Sequence, residues 1–198
     1  EASRREIVRR YYQAMCDLRT GRGEETAVSK IELLMNKAEI TVDINPTVEA
    51  SLRKAEETGM PAVAIELPDG RVITGKTSSL LGASSAALLN ALKELAGLDD
   101  SLHLIAPEVI EPIQHLKVEH LGNHNPRLHT DETLIALSIS AVTDPNAEQA
   151  MEHLAELSGC DAHSTVILSQ VDTDVFRKLG VNMSCESRYQ TKKLYHKQ

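Results

Sequence analysis

Residues 70–77 (GRVITGKT) fit the P-loop pattern G-x-x-x-x-G-K-[ST], in which backbone N–H groups and a lysine bind nucleotide phosphates. That chemistry requires a strand that leads into a glycine-rich loop and then directly into a helix. Val72 and Ile73 are β-branched and favour an extended backbone, and Asp69-Gly70 provides a two-residue turn. We therefore predict a β-hairpin here and keep ATP hydrolysis at Lys76 as an alternative.

A second candidate for anion binding follows, where Gly82-Ala83-Ser84-Ser85 opens a helix rich in alanine and leucine. The first N–H groups of a helix have no partner within the helix, and its dipole is positive at this end. We predict that Gly82, Ser84 and Ser85 contact an anion. The alternative is an ordinary serine N-cap with small residues that allow close packing.

The polar loop at residues 121–131 (LGNHNPRLHTD) contains the third candidate. Arg127 can bind a carboxylate or phosphate, and His129 can bind the same anion or transfer a proton. We predict that both act together with the helix start at Gly82. The alternative is a turn in which Thr130 or Asp131 caps the next helix.

Two further pairs have spacings that metal sites use. Glu108 and Glu111 are three residues apart in a predicted helix and can bind a hard cation through oxygen, but no third ligand can be assigned. The alternative is two acids favoured by the helix dipole. Cys160 and His163 have a C-x-x-H spacing that is weak evidence alone, and we predict no metal site.

Composition excludes several classes of protein. The 198 residues suffice for one large or two small domains, and 41% hydrophobic with 25% charged residues is ordinary for a globular protein. The net charge of −8 argues against nucleic acid or an anionic membrane as partner. No apolar run reaches the roughly 20 residues of a membrane span. Three cysteines without a CxxC pair favour a reducing, cytoplasmic location.

Hydrophobic periodicity predicts the elements that must position these residues. Residues 1–59 read as amphipathic helices. We then expect, in chain order, a hairpin of strands 61–67 and 71–75, a helix at 84–96, a strand at 103–106 (HLIA), a helix from Pro107, helices at 132–142 and 147–157, a strand at 164–169 (STVILS), a short helix around Phe176 and a strand at 181–185.

The order hairpin, helix, strand, helix, together with the ALLNAL helix, resembles the cytidine-deaminase fold. In that family the helix opens with His/Cys-Ala-Glu and the next strand runs into Pro-Cys-x-x-Cys, which together bind zinc and move protons. Here Gly82-Ala83-Ser84 and residues 107–111 (PEVIE) stand at those two places. Every zinc ligand is missing, so the resemblance implies that zinc deamination is excluded.

Longer stretches resemble the bacterial family catalogued as domain of unknown function 1846. They are AVAIELPDGRVITGKTSSLLGASSAALLNALKELAG (62–97), HLIAPEVIEPIQHLK (103–117), LGNHNPRLHTDETLIALSISA (121–141), GCDAHSTVILSQVD (159–172) and TKKLYHK. The resemblance implies that the chain, which starts at Glu1 inside a helix signal, is the C-terminal part of a longer protein. The N-terminal part in that family carries its own GSGK-type segment, and the resemblance supplies no catalytic residues.

We therefore expect a mixed α/β (α+β) fold: a helical segment at 1–59, a three-layer α/β/α deaminase-like unit at 60–130, and a smaller α+β unit with a basic tail at 131–198. The expected function is a cytoplasmic domain that binds, or acts on, a small anion such as a nucleotide. One alternative is an interaction or oligomerisation module that packs the Ala/Leu helix and the tail against another subunit. The other is an ATP-dependent activity in the N-terminal part. Substrate, reaction and cofactor stay open.

Overall fold

Four strands form a mixed sheet, and helices cover both of its faces. A computed structural model describes residues 2–190. The strands are β1 (Ala62–Glu66), β2 (Val72–Lys76), β3 (Asp161–Ser164) and β4 (Asn182–Cys185). The helices of the described part are α1 (Ala2–Arg19), α2 (Glu25–Lys37), α3 (Pro46–Thr58), α4 (Ala83–Leu95), α5 (Pro107–His115), α6 (Thr130–Ser140), α7 (Pro145–Glu152) and α8 (Gln170–Lys178). A π-helical turn, Leu116–His120, follows α5, and 3-10 turns occupy Val42–Ile44 and Leu154–Leu157. The predicted mixed α/β class is confirmed.

The strand order is β2-β1-β3-β4. β1 pairs antiparallel with β2, with Ile65 opposite Ile73, and antiparallel with β3, with Ala64 opposite His163. β3 and β4 run parallel, with His163 opposite Ser184. Strands from the expected central and C-terminal units thus share one sheet.

Successive residues of a strand face opposite sides of the sheet, so β1 contributes to two layers. Val63 and Ile65 join the larger hydrophobic cluster, which includes α4 and Phe176 of α8. A smaller cluster on the helical N-terminal segment includes Val8 and Tyr12 of α1. The sheet is therefore enclosed between helical layers, and the first four residues of β1, Ala62 to Ile65, are fully buried.

Ion pairs anchor α1 to the sheet. Arg5 pairs with Glu66 at the end of β1 and with Asp161 at the start of β3, at 2.5 and 3.2 Å. Arg9 pairs with Asp161 at 2.7 Å. All four side chains are at most about one-fifth exposed, so these pairs are screened less than surface pairs.

The P-loop interpretation of residues 70–77 is wrong, because these residues form a hairpin as predicted. Gly70 occupies the turn with a φ of 85°, and the N–H of Leu67 donates to the carbonyl of Arg71 at 2.8 Å. Lys76 is the exposed last residue of β2 and lies on no anion-binding loop.

The strand predicted at residues 103–106 is wrong. Leu104 and Ile105 are buried in the larger cluster, but the backbone there is irregular. The position beside β1 that such a strand would take belongs to β3. The large hydrophobic residues of this stretch are buried, but they do not pair as a strand.

The strand predicted at residues 164–169 begins and ends earlier, at Asp161–Ser164. The Ser164 hydroxyl donates to the carbonyl of Val166 at 2.7 Å and accepts from its N–H at 3.3 Å. This local turn competes with strand pairing and bends the chain after Ser164. Residues 166–168 consequently leave the sheet and form the wall of a cavity.

The Ala/Leu helix is not available for another subunit, because nine of the 13 residues of α4 are buried within the fold. The expected basic tail begins at Arg188, and its residues 191–198 lie outside the described part. Within residues 2–190 no helix combines the length and apolarity needed to cross a membrane.

Candidate functional site

The N-terminus of α4 carries free backbone donors. Gly82 precedes the helix with an extended backbone (φ −67°, ψ 160°), and no side chain caps this end. The N–H of Gly82 donates to the carbonyl of Leu128 at 3.3 Å, whereas the first-turn N–H groups of Ala83, Ser84 and Ser85 have no acceptor in the described part. Donors at a positive dipole end favour an anion.

A cavity of about 220 Å³ lies at this helix end, and it brings together Gly82, Ser84, Arg127 and His129, four of the five residues predicted from the sequence. Its other lining residues flank the hairpin, neighbour the four residues just named, or come from the C-terminal part of the described chain. They are Pro61 and Thr77 at the β-hairpin, Ala83, Asn125 and Leu128, and Val166, Ile167, Leu168, Ser169, Asp172 and Gln190.

Ser85, the fifth predicted residue, is not among the residues that line the cavity. It is fully buried, and its hydroxyl donates to the carbonyl of Leu128 at 3.1 Å. Its side chain therefore fastens the 125–129 loop to α4. Only its backbone N–H belongs to the exposed helix end.

Arg127 contributes a positive charge that no carboxylate of the described part neutralises through an ion pair. Its Nε donates to the carbonyl of Ser78 at 2.6 Å, which holds the guanidinium in place. Its backbone N–H donates to the Asn125 side chain at 3.2 Å and closes a turn. The two terminal nitrogens are left as donors for a ligand.

His129 precedes α6 and reaches the same cavity. Its backbone N–H donates to Oε2 of Glu132 at 2.9 Å, and its Nδ1 lies 3.7 Å from the same oxygen. Thr130 begins the helix but does not cap it. Asp131 also lies inside the helix, so the alternative that Thr130 or Asp131 is the cap is wrong, and His129 occupies the N-cap position.

Lys117 holds the 125–129 loop through hydrogen bonds of its buried side chain. Its side chain is 3% exposed, and its Nζ donates to the carbonyl of Arg127 at 2.6 Å and to Glu132 at 2.7 Å. The positive charge of Lys117 is therefore paired, and Glu132 does not oppose an anion in the cavity. Sequence reasoning missed this lysine, because nothing in its local pattern shows burial.

Of the residues that the structure describes, Asp172 of α8 is the one acidic residue that lines the cavity. Its Oδ1 accepts from the N–H and the hydroxyl of Thr130, both at 2.9 Å, and its Oδ2 accepts from the hydroxyl of Ser169 at 2.9 Å. Asp172 thus ties the start of α8 to the start of α6. The spacing Ser169-x-x-Asp172 fits a capping box and could have indicated this residue.

Two residues of the cavity lining, Thr77 and Ser84, are almost fully buried, but their hydroxyl oxygens keep some accessible surface. Thr77 is 2% exposed and Ser84 is 3% exposed, and the hydroxyl of neither has a hydrogen bond to the described part of the chain. A buried hydroxyl is normally satisfied by protein, water or ligand. Thr77 was missed because it was read only as the last letter of the P-loop pattern.

The remaining candidates do not reach this cavity. Residues 107–111, placed at the second deaminase motif, begin α5 and are not among its lining. Glu108 and Glu111 are exposed, and no group of three or more potential metal ligands occurs among the described residues.

His163 belongs to a separate buried cluster beneath α1. Its Nδ1 lies 2.8 Å from the Ser184 hydroxyl, and its Nε2 lies 3.4 Å from Glu186. The hydrogen bond of Glu186 with His163 lowers the pKa of that carboxyl, although burial opposes the shift. Ser184 is 5% exposed and also donates to the carbonyl of Ala162 at 3.2 Å. This Ser-His-Glu chain therefore holds the strands together, and the C-x-x-H spacing with Cys160 has no metal-binding geometry.

The chain matches the family described as "Domain of unknown function DUF1846, C-terminal" over residues 43–195. A UPF0371 protein of Corynebacterium efficiens is 55% identical over 197 residues, which is 100% of this chain and 40% of that protein. A UPF0371 protein of Streptococcus pyogenes serotype M5 is 53% identical over the same share of both chains. The chain thus spans 40% of the length of these curated relatives.

Proposed function

This chain belongs to the DUF1846 family, and we propose that it forms a domain that binds a small anion at the N-terminus of α4. The observation that carries the proposal is the guanidinium of Arg127, which forms no ion pair with the described residues, beside an uncapped helix start in one cavity. Fixed donors and a fixed charge bind an anion at low cost in conformational entropy.

The electrostatic balance of the cavity supports an anion over a cation. Glu132 is paired with Lys117, and both oxygens of Asp172 accept hydrogen bonds. The charge of Arg127, which pairs with no carboxylate of the described residues, and the dipole of α4 together exceed the single negative charge of Asp172. Among the described residues of the lining we identify no contacts typical of a catalytic nucleophile or general base, and we assign no reaction.

The test is thermal unfolding of the 198-residue chain in sodium phosphate and in sodium chloride at equal ionic strength. A ligand that binds only the folded state adds about 1.4 kcal/mol of stability at ten times its Kd. We expect phosphate to raise the Tm of the natural chain and to lose this effect in Arg127→Gln. The control is Arg53→Gln, which removes an exposed arginine remote from the cavity. Equal melting temperatures in both salts would contradict the proposal.

We further propose that the chain keeps the element order of the cytidine-deaminase fold, with α5 to α7 as a long insertion between α4 and β3. The hairpin and α4 are followed, after α5 to α7, by β3, α8 and β4, and the starts of α4 and α8 line one cavity. The counterpart of the second zinc motif is then at Ser169 and Asp172 rather than at residues 107–111. These residues contain no cysteine or histidine, which is consistent with the loss of zinc chemistry.

An interaction module is the second candidate function, supported by α6. Ile135 and Ile139 are each 59% exposed and lie on one face of α6, and Val142, which is 82% exposed, follows in the turn after the helix. Light scattering on the chain, and on Ile139→Lys, tests whether this face joins two copies. A monomer at all concentrations would argue against it.

The cytoplasmic location and the ATP-dependent activity of a further N-terminal part also stay proposals. Cys16, Cys160 and Cys185 are free thiols, as is usual in a reducing compartment. The relatives are longer than this chain, which leaves room in them for a second unit.

A further inference from the structure

The cavity at the start of α4 is too small and has the wrong lining for a nucleotide. Its volume of about 220 Å³ lies below the roughly 300–1,000 Å³ of pockets for drug-sized ligands. No Phe, Tyr or Trp side chain lines it in the described part, whereas bases are usually held by aromatic stacking. A ligand that fits has a short, non-aromatic organic part.

The donors around the cavity point to more than one ligand oxygen. Thr77 and Ser84, which are almost fully buried, offer hydroxyls with no partner among the described residues, and the first turn of α4 offers N–H groups. Arg127 adds its terminal nitrogens on the side of the 125–129 loop. The donors thus come from the hairpin, the helix and the loop. A carboxylate has two oxygens and one charge and leaves part of this set unused, whereas a phosphate monoester has three terminal oxygens.

The apolar residues of the lining suit the organic part of such a ligand. Val166, Ile167 and Leu168 line it, with Pro61 beside them. Asn125 and Ser169 supply polar groups at its margins. Asp172 lies there too, but its three hydrogen bonds to Thr130 and Ser169 already engage both of its oxygens.

We infer that the cavity binds the phosphate monoester of a short carbon chain, about three to six carbons long, with the phosphate at the start of α4 and the chain along residues 166–168. This inference rests on the proposed anion-binding function. It narrows that function by excluding nucleotides and simple carboxylates as the preferred ligands.

Isothermal titration calorimetry of the 198-residue chain tests the ligand class with four probes. We expect glycerol 3-phosphate to bind about tenfold more tightly than AMP and glycerate, and several-fold more tightly than inorganic phosphate. AMP binding as tight as glycerol 3-phosphate would overturn the size argument. Glycerate binding as tightly would overturn the argument from three phosphate oxygens. In both cases anion binding itself survives, whereas no binding by any probe contradicts the proposed function as well.

Two conservative variants test whether these hydroxyls contact the ligand. Ser84→Ala and Thr77→Val each remove one hydroxyl with little change in volume, and each is expected to weaken glycerol 3-phosphate binding about tenfold. Ser138→Ala, which removes an exposed serine of α6, is the matched control. Circular dichroism melting of all three variants shows whether they fold. Folded Ser84→Ala and Thr77→Val chains with unchanged affinity would overturn the assignment of the phosphate to this helix end.

Discussion

Gly75 of β2 lies directly against the backbone of Ala87 in α4, so that a β-carbon on Gly75 would overlap the Ala87 nitrogen. The contact is between backbones and cannot be relieved by the rotation of a side chain. The second glycine of the apparent P-loop is thus explained by packing between strand and helix. The same contact sets how closely α4, and the cavity at its start, lies to the hairpin.

Gly75→Ala should destabilise the chain by about 2–3 kcal/mol, because the added methyl forces α4 away from β2. Urea unfolding followed by circular dichroism measures the change. Gly82→Ser is the control, since a β-carbon there lies 3.7 Å from its nearest neighbour and serine is a good N-cap. A Gly75→Ala chain as stable as the natural one would show that α4 can shift freely.

Lys117→Met should lower the free energy of unfolding by about 3 kcal/mol, since it leaves Glu132 without its buried partner. The double variant with Glu132→Gln should recover part of the loss, because it removes the unpaired charge. Urea unfolding of both chains checks this, with exposed Lys178→Met as control. If the single variant is no less stable than the control, the pair does not hold the 125–129 loop.

Glu186 should make the chain more sensitive to acid. Its pKa is lowered in the folded state, chiefly by the hydrogen bond with His163, while burial opposes the shift. A depressed carboxyl pKa adds stability that is present above the unfolded value of about 4.3 and is lost as the pH falls through the folded pKa.

Glu186→Gln should therefore show a shallower loss of stability than the natural chain below about pH 4.3. Chemical unfolding at a series of pH values between 3 and 7 would measure this. Glu57→Gln, an exposed glutamate on α3, should keep the natural slope. Identical acid limbs in Glu186→Gln and the natural chain would mean that the His163 contact does not form.

The three thiols should react slowly in the folded chain. Burial raises the pKa of Cys16 to about 11 and that of Cys185 to about 12, and it also raises the pKa of Cys160. Because the thiolate is the reactive form, alkylation by iodoacetamide at pH 7.5 should be slow. Mass spectrometry counts the labelled thiols, and all three should react once guanidinium unfolds the chain. Rapid labelling of native Cys16 would contradict its burial.

Local signals in the sequence predict where helices and strands lie better than they predict which strands pair. Asn45-Pro46 and Gly59 bound α3 as expected, and Asp69-Gly70 makes the hairpin turn. These features depend on a few neighbouring residues. The strand expected at residues 103–106 failed because its place in the sheet is decided by β3, about sixty residues further along the chain.

Local signals likewise predict only part of the candidate site. Gly82, Ser84, Arg127 and His129 were proposed from helix-start and loop chemistry, and the structure brings them to one cavity. Asp172 and the wall at residues 166–168 could not be placed opposite them, because their position follows from the pairing of β1 with β3. Tertiary pairing, rather than local propensity, completes the site.

The pairing of Val63 with Ser164 joins residues about a hundred positions apart, and it has a consequence for synthesis on the ribosome. The hairpin and α4 contain mainly local contacts and can form early, while one edge of β1 has no partner until residue 164 has emerged. An apolar strand edge of this kind is prone to aggregation. A chain truncated after α7 would keep that edge open permanently, so the nascent protein passes through its most aggregation-prone stage just before β3 is made.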